Sequence, residues 1–437
     1  MPQLKQLARQ IFDETLAAIN IPATMQRKLR RKGTVVLCGD ARIDLRDFEK
    51  LRVVAIGKAA HAMVDGLELV LAPFVRLEGV VSAPTAPQKS VAGMKYFVAG
   101  HPVPTAESWK AAEAILTLLK KCKEKTLVFF LLSGGGSALV ELPLDPAQTL
   151  ENVQQVHRAL VTCGAPIDKI NTVRKHISAV KGGRLAAAAN HATKITLAVS
   201  DVPMGKESAL ASGPTLPDPS TVADAKRIVA EYSLHQKFPP ALQDWLDKGK
   251  MPETPKADAA AFRNSYFVLL LGMDDLFHPA HHAAEGKGFI ACCDNTTDDW
   301  PVEKAAGYLL EQLEELRKTH AGQRVALIAD GEVSSPVMGN GIGGRNSAFV
   351  LACVERIAGK KVAVLSAGTD GIDGNSPAAG AVADGETLER ARAAGLDPGE
   401  AFRRSDAFTL FSRLGDAIVT GPTGNNLRDL RILIAEP

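Results

Sequence analysis

Lys125–Leu142, KTLVFFLLSGGGSALVEL, decides the fold. Its consecutive apolar residues, Leu127 to Leu132, are too few to favour a helix and suit a strand buried on both faces. The run stops at Ser133-Gly134-Gly135-Gly136-Ser137, and Ala138-Leu139 then resumes a helix-compatible pattern. A buried strand, a glycine-rich turn and a helix form a common frame for an anion. The glycines let the backbone approach the ligand, and the helix N-terminus adds a favourable dipole. The same glycines also serve a tight turn with no ligand, and this stretch alone does not choose between the two.

A chain of 437 residues holds roughly two domains and can bury a large core. Hydrophobic residues make up 46% and charged residues 23%, as in ordinary globular proteins. The net charge is only +2, and no basic stripe interleaved with aromatics argues for nucleic acid as a partner. No apolar run approaches the roughly 20 residues that span a bilayer. The N-terminal MPQLKQLARQIFDETLAAI reads as an amphipathic helix of mixed charge, not a signal peptide. Cys38, Cys122, Cys163, Cys292, Cys293 and Cys353 lack CxxC spacing, which predicts reduced thiols and a cytoplasmic location.

Outward from the central run, Arg52–Ile56 reads as a strand, Gly57 as a turn and Ala59 onward as a helix. Lys58 therefore lies at the carboxyl edge of a parallel sheet, where open α/β folds bind ligands. Leu77–Ser82, Tyr96–Ala99 and Lys194–Val199 are further strands, with helices over Ser108–Lys121 and Pro146–Val161. The alternation predicts an α/β domain over 1–250. Val222–Leu246 is amphipathic, and the polar Asp247–Asp258 reads as a linker. A second α/β domain, 258–437, carries Tyr266–Leu271, Phe289–Cys293, Val325–Ala329, Val362–Leu365, Ala417–Thr420 and Leu430–Ile434 as strands.

Some motifs fail on context. Gly339–Gly344 fits G-x-G-x-x-G, but the preceding strand ends near Ala329, with Pro336 between. No Walker A loop is present, and GGSAL around Ser137 lacks the last glycine of a nucleophile elbow. His278, His281 and His282 share a helical region with Pro279 and read as a surface cluster rather than a metal site.

Polar loops remain. Asn171-Thr172-Val173-Arg174-Lys175-His176 leads to Ser178 and Lys181-Gly182-Gly183-Arg184. Ser200-Asp201-Val202-Pro203 leads to Ser212-Gly213-Pro214-Thr215. Asp330-Gly331-Glu332 precedes Gly343-Gly344-Arg345-Asn346, and Gly368–Gly374 is echoed by Gly421–Asn426. Acidic residues at strand ends suit Mg2+, and Arg and Lys among glycines suit phosphate and carboxylate groups. Single Asp-Gly or Asn-Gly pairs are simply turn formers; the recurrence of such loops predicts a site.

SGGGSAL, INTVRKHISAVKGGRLA, SDVP with ASGPTLPDPST, GIGGRN, GTDGIDG and GDAIVTGPTGNN resemble the glycerate 2-kinase family with a C-terminal MOFRL domain. Members of that family are often labelled hydroxypyruvate reductase. The likeness runs from about Val53 to the C-terminus. It implies ATP-dependent phosphorylation of D-glycerate at the 2-hydroxyl with Mg2+. It also implies a Rossmann-like N-terminal domain, a smaller MOFRL-type α/β domain and an active site in the cleft between them. The family's catalytic lysine corresponds to Lys58 and its GGRN arginine to Arg345. On this reading Ser133, Gly134, Gly135, Gly136 and Ser137 bind nucleotide, with Gly343, Gly344 and Asn346 as further cofactor-binding candidates. Asp201, then Asp370, are the metal candidates, and Arg174, Lys181 and His176 the candidates for the acceptor. The chain departs from the pattern at Met204–Glu207, at Ser347-Ala348 and at Thr105, and Gly272–His282 has no counterpart in it. Two other readings are an NAD(P)H-dependent hydroxypyruvate reductase using the 339–344 glycines and a non-catalytic sensor of sugar acids or nucleotides. An oligomer stays open.

Overall fold

The central run does form a strand, Thr126–Leu132, and its whole length is buried. The computed structural model describes residues 2–71, 75–200, 202, 205–425 and 427–437. The strand belongs to one of two compact units, Ile21–Gly272; the other comprises the chain up to Asn20 and from Met273 onward.

The Ile21–Gly272 unit opens with a helix, Ile21–Lys28, and a small antiparallel sheet of β1 (Leu29–Lys32), β2 (Val35–Cys38) and β3 (Ala41–Asp44). Its main sheet has six strands: β4 (Lys50–Ile56), β5 (Gly79–Ala83), β6 (Met94–Val98), β7 (Thr126–Leu132), β8 (Thr193–Val199) and β9 (Ser265–Leu271). The order is β6-β5-β4-β7-β8-β9, and every pairing is parallel. Val54, Ile56, Val128 and Phe130 pack with Ala111, Ala112 and Ile115 of the helix Ala106–Leu119. Val53, Phe129 and Leu131 point to the other face and are just as buried. Burial on both faces is why these strands read as continuous apolar runs. From β4 the chain steps outward to β5 and β6, then returns to β7 on β4's other side. That reversal makes a switch point in a Rossmann-like arrangement, and open α/β folds bind their ligands at such points, beyond the carboxyl ends of the strands, here β4 and β7.

Three expectations about chain division change, two of them in this unit. Tyr266–Leu271 was expected to open the second domain; it lies instead in β9, paired with β8 at the edge of the first sheet. Asp247–Asp258 was expected to be a linker, but it is tied into this unit. Asp218 N donates to Pro255 O (3.1 Å), and Lys256 Nζ donates to the carbonyls of Asp218 and Ser220 (3.2 and 2.5 Å). A Pro-containing segment without regular structure looks like a linker until its backbone partners are known.

The second unit contains β10 (Ile290–Cys293), β11 (Val325–Asp330), β12 (Val362–Gly368), β13 (Gly380–Asp384), β14 (Ala417–Ile418) and β15 (Asp429–Ala435), in the order β10-β11-β15-β12-β13-β14. Only β10 and β11 pair in parallel; β15 runs antiparallel between β11 and β12. The carboxyl ends of β11 and β12 therefore meet the amino end of β15, with Asp330 opposite Leu430 and Gly368 opposite Asp429. The helices Val302–Thr319 and Arg345–Ile357 pack on the face carrying Val325, Leu327, Val364 and Leu433. The N-terminal helix Pro2–Ala18 also joins this unit, against β12, β13 and β15, rather than the first domain as expected. Its stripe of Leu4, Ala8, Ile11 and Phe12 is buried there, and Lys5 Nζ pairs with Asp416 at 2.9 Å. Among the described residues, no helix is long and apolar enough to cross a membrane.

Candidate active site

At the switch point of the parallel sheet, the turn after β4 and the turn after β7 are hydrogen-bonded into one structure. Lys58 N donates to Gly134 O (3.0 Å), and Ala59 N donates to the Ser133 hydroxyl (3.0 Å). Gly57 permits this approach: a Cβ there would lie 2.1 Å from Ser133 Oγ, and its φ is +130°. Gly135 adopts φ +83° and precedes a helix of four residues, Gly136–Leu139. So short a helix adds little dipole, which leaves the N–H groups of the turn itself as the donors an anion would meet. Among the described residues, no protein acceptor takes the N–H groups of Gly134, Gly135, Gly136 or Ser137. Lys58 and the His101 ring both flank Gly135, 3.5 and 3.0 Å from where its Cβ would stand. Desolvation by its packing, followed by the Lys58 ammonium, holds His101 below the ordinary imidazole range. His101 was passed over in the sequence as part of the Gly-His-Pro stretch after β6.

Behind the turn, Ser137 Oγ meets Ser212 Oγ at 2.7 Å, and Ser212 Oγ donates to Asn171 Oδ1 at 3.0 Å. Ser212 and its neighbour Ala211 hold φ values of +60° and +50°, which are unfavourable for residues with a Cβ. Such conformations persist where the surroundings enforce them, and they gather at functional sites.

Two of the three acceptor candidates converge, on Glu141. Lys181 Nζ donates to Glu141 Oε2, and Ser178 Oγ donates to Glu141 Oε1 at 2.6 Å. Burial opposes the Glu141 charge, but Lys181 and then His157 outweigh it and hold the carboxyl below its usual range. Arg174 lines a cavity of about 30 Å³ with Glu141, Gln148, His157 and Trp245. That volume suits a water or two, not a three-carbon acid. His176 lies apart from them, with Nδ1 donating to Thr172 O at 2.8 Å within its own helix.

In the second unit, Arg345 forms a fork. Its Nε donates to Asp429 Oδ2 (2.5 Å) and its Nη1 to Glu332 Oε2 (2.7 Å). Burial disfavours the guanidinium charge, yet Asp429 and Glu332 more than compensate, so its pKa is raised. Gly343 N donates to Asn375 Oδ1, Gly344 N to Ser347 Oγ, and Asn346 N and Ser347 N to the buried Asp373 carboxylate. These N–H groups are engaged within the protein. Gly343 and Gly344 also line a cavity of about 650 Å³ with Ser334–Met338, Ala348 and Phe402. The polar loops read from the sequence include Glu332 and Asp373 without a role for either, and they do not include Asp429.

Asp201 lies outside the described residues. Asp370 Oδ1 accepts the Ile372 N–H at 3.0 Å. A Cβ on Gly368 would lie 3.0 Å from Ile372 O, 3.1 Å from Asp370 Oδ1 and 3.3 Å from Asp429 Oδ1. Oxygens are what a hard cation such as Mg2+ takes, but both Asp429 carboxylate oxygens already accept from Arg345.

Residues 7–247 match a family described as a domain of unknown function (DUF4147), and residues 325–429 match the MOFRL family. The chain is 35% identical to a D-glycerate 2-kinase of Thermotoga maritima over 88% of its length and 91% of that protein's. It is 34% identical to a putative hydroxypyruvate reductase of Agrobacterium vitis over 98% of its length and 94% of that protein's. The crystal structure of a glycerate kinase from Thermotoga maritima superposes over the whole of both chains, with 33% identity and a TM-score of 0.85. The chain belongs to the glycerate 2-kinase family with a C-terminal MOFRL domain.

Proposed function

We propose that the protein is a glycerate kinase that transfers the γ-phosphoryl group of ATP to the 2-hydroxyl of D-glycerate, giving 2-phosphoglycerate and ADP. The observation that carries this reading is the joined pair of turns at the switch point, which offers consecutive N–H donors beside an ammonium group. The Ser133–Ser137 turn binds nucleotide phosphate. Lys58 offsets charge on the transferring group, because positioning and electrostatics supply most of the catalysis in phosphoryl transfer, and Arg345 is the candidate for that role carried by the other unit. His101, neutral beside Lys58, is the group there that can take the acceptor's proton; loss of the acidic limb of the kcat/KM–pH profile in His101→Gln checks it.

Asp370 is the Mg2+ candidate among the described residues, and the ion when bound supplies positive charge against the phosphate oxygens. Gly343 and Gly344 remain cofactor-binding candidates through the cavity they line, which is large enough for a nucleoside. Their engaged N–H groups, and a strand that ends well before the loop, argue against a nicotinamide fingerprint at 339–344. The test is incubation of purified protein with D-glycerate, ATP and Mg2+, and separately with hydroxypyruvate and NAD(P)H. ADP release with a 2-phosphoglycerate phosphorus signal is expected. A 3-phosphoglycerate signal would overturn the regiochemistry, nicotinamide oxidation would support the reductase, and silence in both would support a sensor.

A further inference from the structure

We propose that His281, His282 and Glu285 form a site for a borderline transition-metal ion of the Zn2+ class, separate from the Mg2+ of the kinase reaction. All three lie on the helix Asp274–Gly286, and the two histidines fall in the stretch Gly272–His282 that has no counterpart in the family pattern. Their ligand atoms lie within 4.8 Å of one another. His281 Nδ1 stands 3.4 Å from Glu285 Oε2, and His282 Nδ1 stands 3.2 Å from the same oxygen. A tetrahedral shell with metal–ligand distances near 2.0–2.1 Å places neighbouring ligand atoms about 3.3–3.4 Å apart. Those two separations therefore already match the edges of a zinc tetrahedron.

The tautomer of His281 matches as well. Its Nε2 meets the Ala291 carbonyl at 3.1 Å, and a carbonyl can only accept, so Nε2 carries the proton. With Nε2 so engaged, Nδ1 is the ring nitrogen that faces Glu285 and is left to ligate a metal. Imidazoles that ligate metals are commonly fixed in this way, by donating the second ring N–H to a carbonyl. The contact also joins the helix to β10, so metal binding would stiffen that junction. Two imidazole nitrogens and one carboxylate oxygen leave a fourth position for water. The donor set selects Zn2+ or its neighbours over Mg2+, which takes oxygen ligands. The competing arrangement is two protonated histidines in surface ion pairs with Glu285, which would contribute little.

Isothermal titration of the metal-stripped full-length protein with ZnCl2, in excess Mg2+ and without nucleotide, decides between them. The expected result is one saturable Zn2+ per chain at pH 7.5. Affinity should fall at least about tenfold in His282→Ala and in Glu285→Gln, and hold in Cys292→Ser/Cys293→Ser. Binding that survives both His282→Ala and Glu285→Gln, that disappears with the exposed thiols, or that never saturates at one ion overturns the site. Because no turnover is measured, the result is independent of the kinase assignment.

Discussion

At the scale of single residues, Lys58 and Gly135 carry the argument, and each can be changed without opening the core. Lys58 sits where β4 ends, with its backbone locked to Gly134 O, so Lys58→Ala should remove the ammonium and leave the turn in place. The expected outcome is a fall in kcat of about a hundredfold or more, with small changes in KM, because the charge it offsets grows toward the transition state. Near-wild-type turnover in that variant would remove Lys58 from the mechanism. Gly135→Val puts a Cβ 3.0 Å from the His101 ring and forces a branched residue to φ +83°. It should raise the KM for ATP strongly while the far-UV spectrum stays unchanged; unaltered nucleotide kinetics in the folded variant would make the turn merely structural. Both residues were legible in the sequence, since a glycine-rich turn after a buried strand announces itself locally. His101, Ser212 and Asn171 were not legible as a group, because only the return of distant segments to the switch point brings them beside it.

At the scale of elements, the helix Arg345–Ile357 shows how a site residue depends on its cap. Asp373 accepts Asn346 N (2.9 Å), Ser347 N (2.9 Å) and Ser347 Oγ (2.6 Å), and it is almost fully buried. Ser347, which departs from the family pattern, is thus part of the cap. Asp373→Ala leaves those donors without a partner and should cost about 2 kcal/mol, a drop of roughly 4–8 °C in Tm for a unit of this size. Arg345, the first helical residue, should lose its fixed fork, so kcat falls with it; an unchanged melting temperature would mean that water replaces the carboxylate. Strand identity was mostly readable, because β4, β7, β8 and β11 are short apolar runs bounded by glycine or polar residues. Pairing was less so. Nothing local tells SYFVLLL to join β8 rather than begin a new domain, or tells the first helix to cross to the last unit. The β1–β3 meander was missed because LRRK is almost wholly basic and ARID is too short for a clear period.

At the scale of the whole chain, the two units carry buried carboxyls that respond to acid in opposite senses. In the C-terminal unit, Asp330 ends β11 fully buried; neither carboxylate oxygen has a hydrogen-bond partner among the described residues, and the Arg428 guanidinium lies 3.7 Å away. Burial raises its pKa to about 6, against the partial relief from Arg428. A folded pKa above the unfolded one means the native state binds the extra proton, so stability falls as pH rises from about 4 to 6. The span of roughly two units corresponds to about 3 kcal/mol. In the N-terminal unit, Glu141 beside Lys181 has a lowered pKa, so its contribution is present above the ordinary glutamate value and fades as pH falls below it. Denaturant unfolding from pH 3 to 8 separates the two. Asp330→Asn should gain on the wild type between pH 4 and 6 and hold that gain above, since the amide pays no ionisation cost and Arg428 keeps its pairing with Asp298. Glu141→Gln should lie below the wild type at neutral pH, and the two curves should converge in acid. Curves for Asp330→Asn that run parallel to the wild type across that window would show that Asp330 ionises in the fold at its ordinary value, with Arg428 compensating for the burial in full.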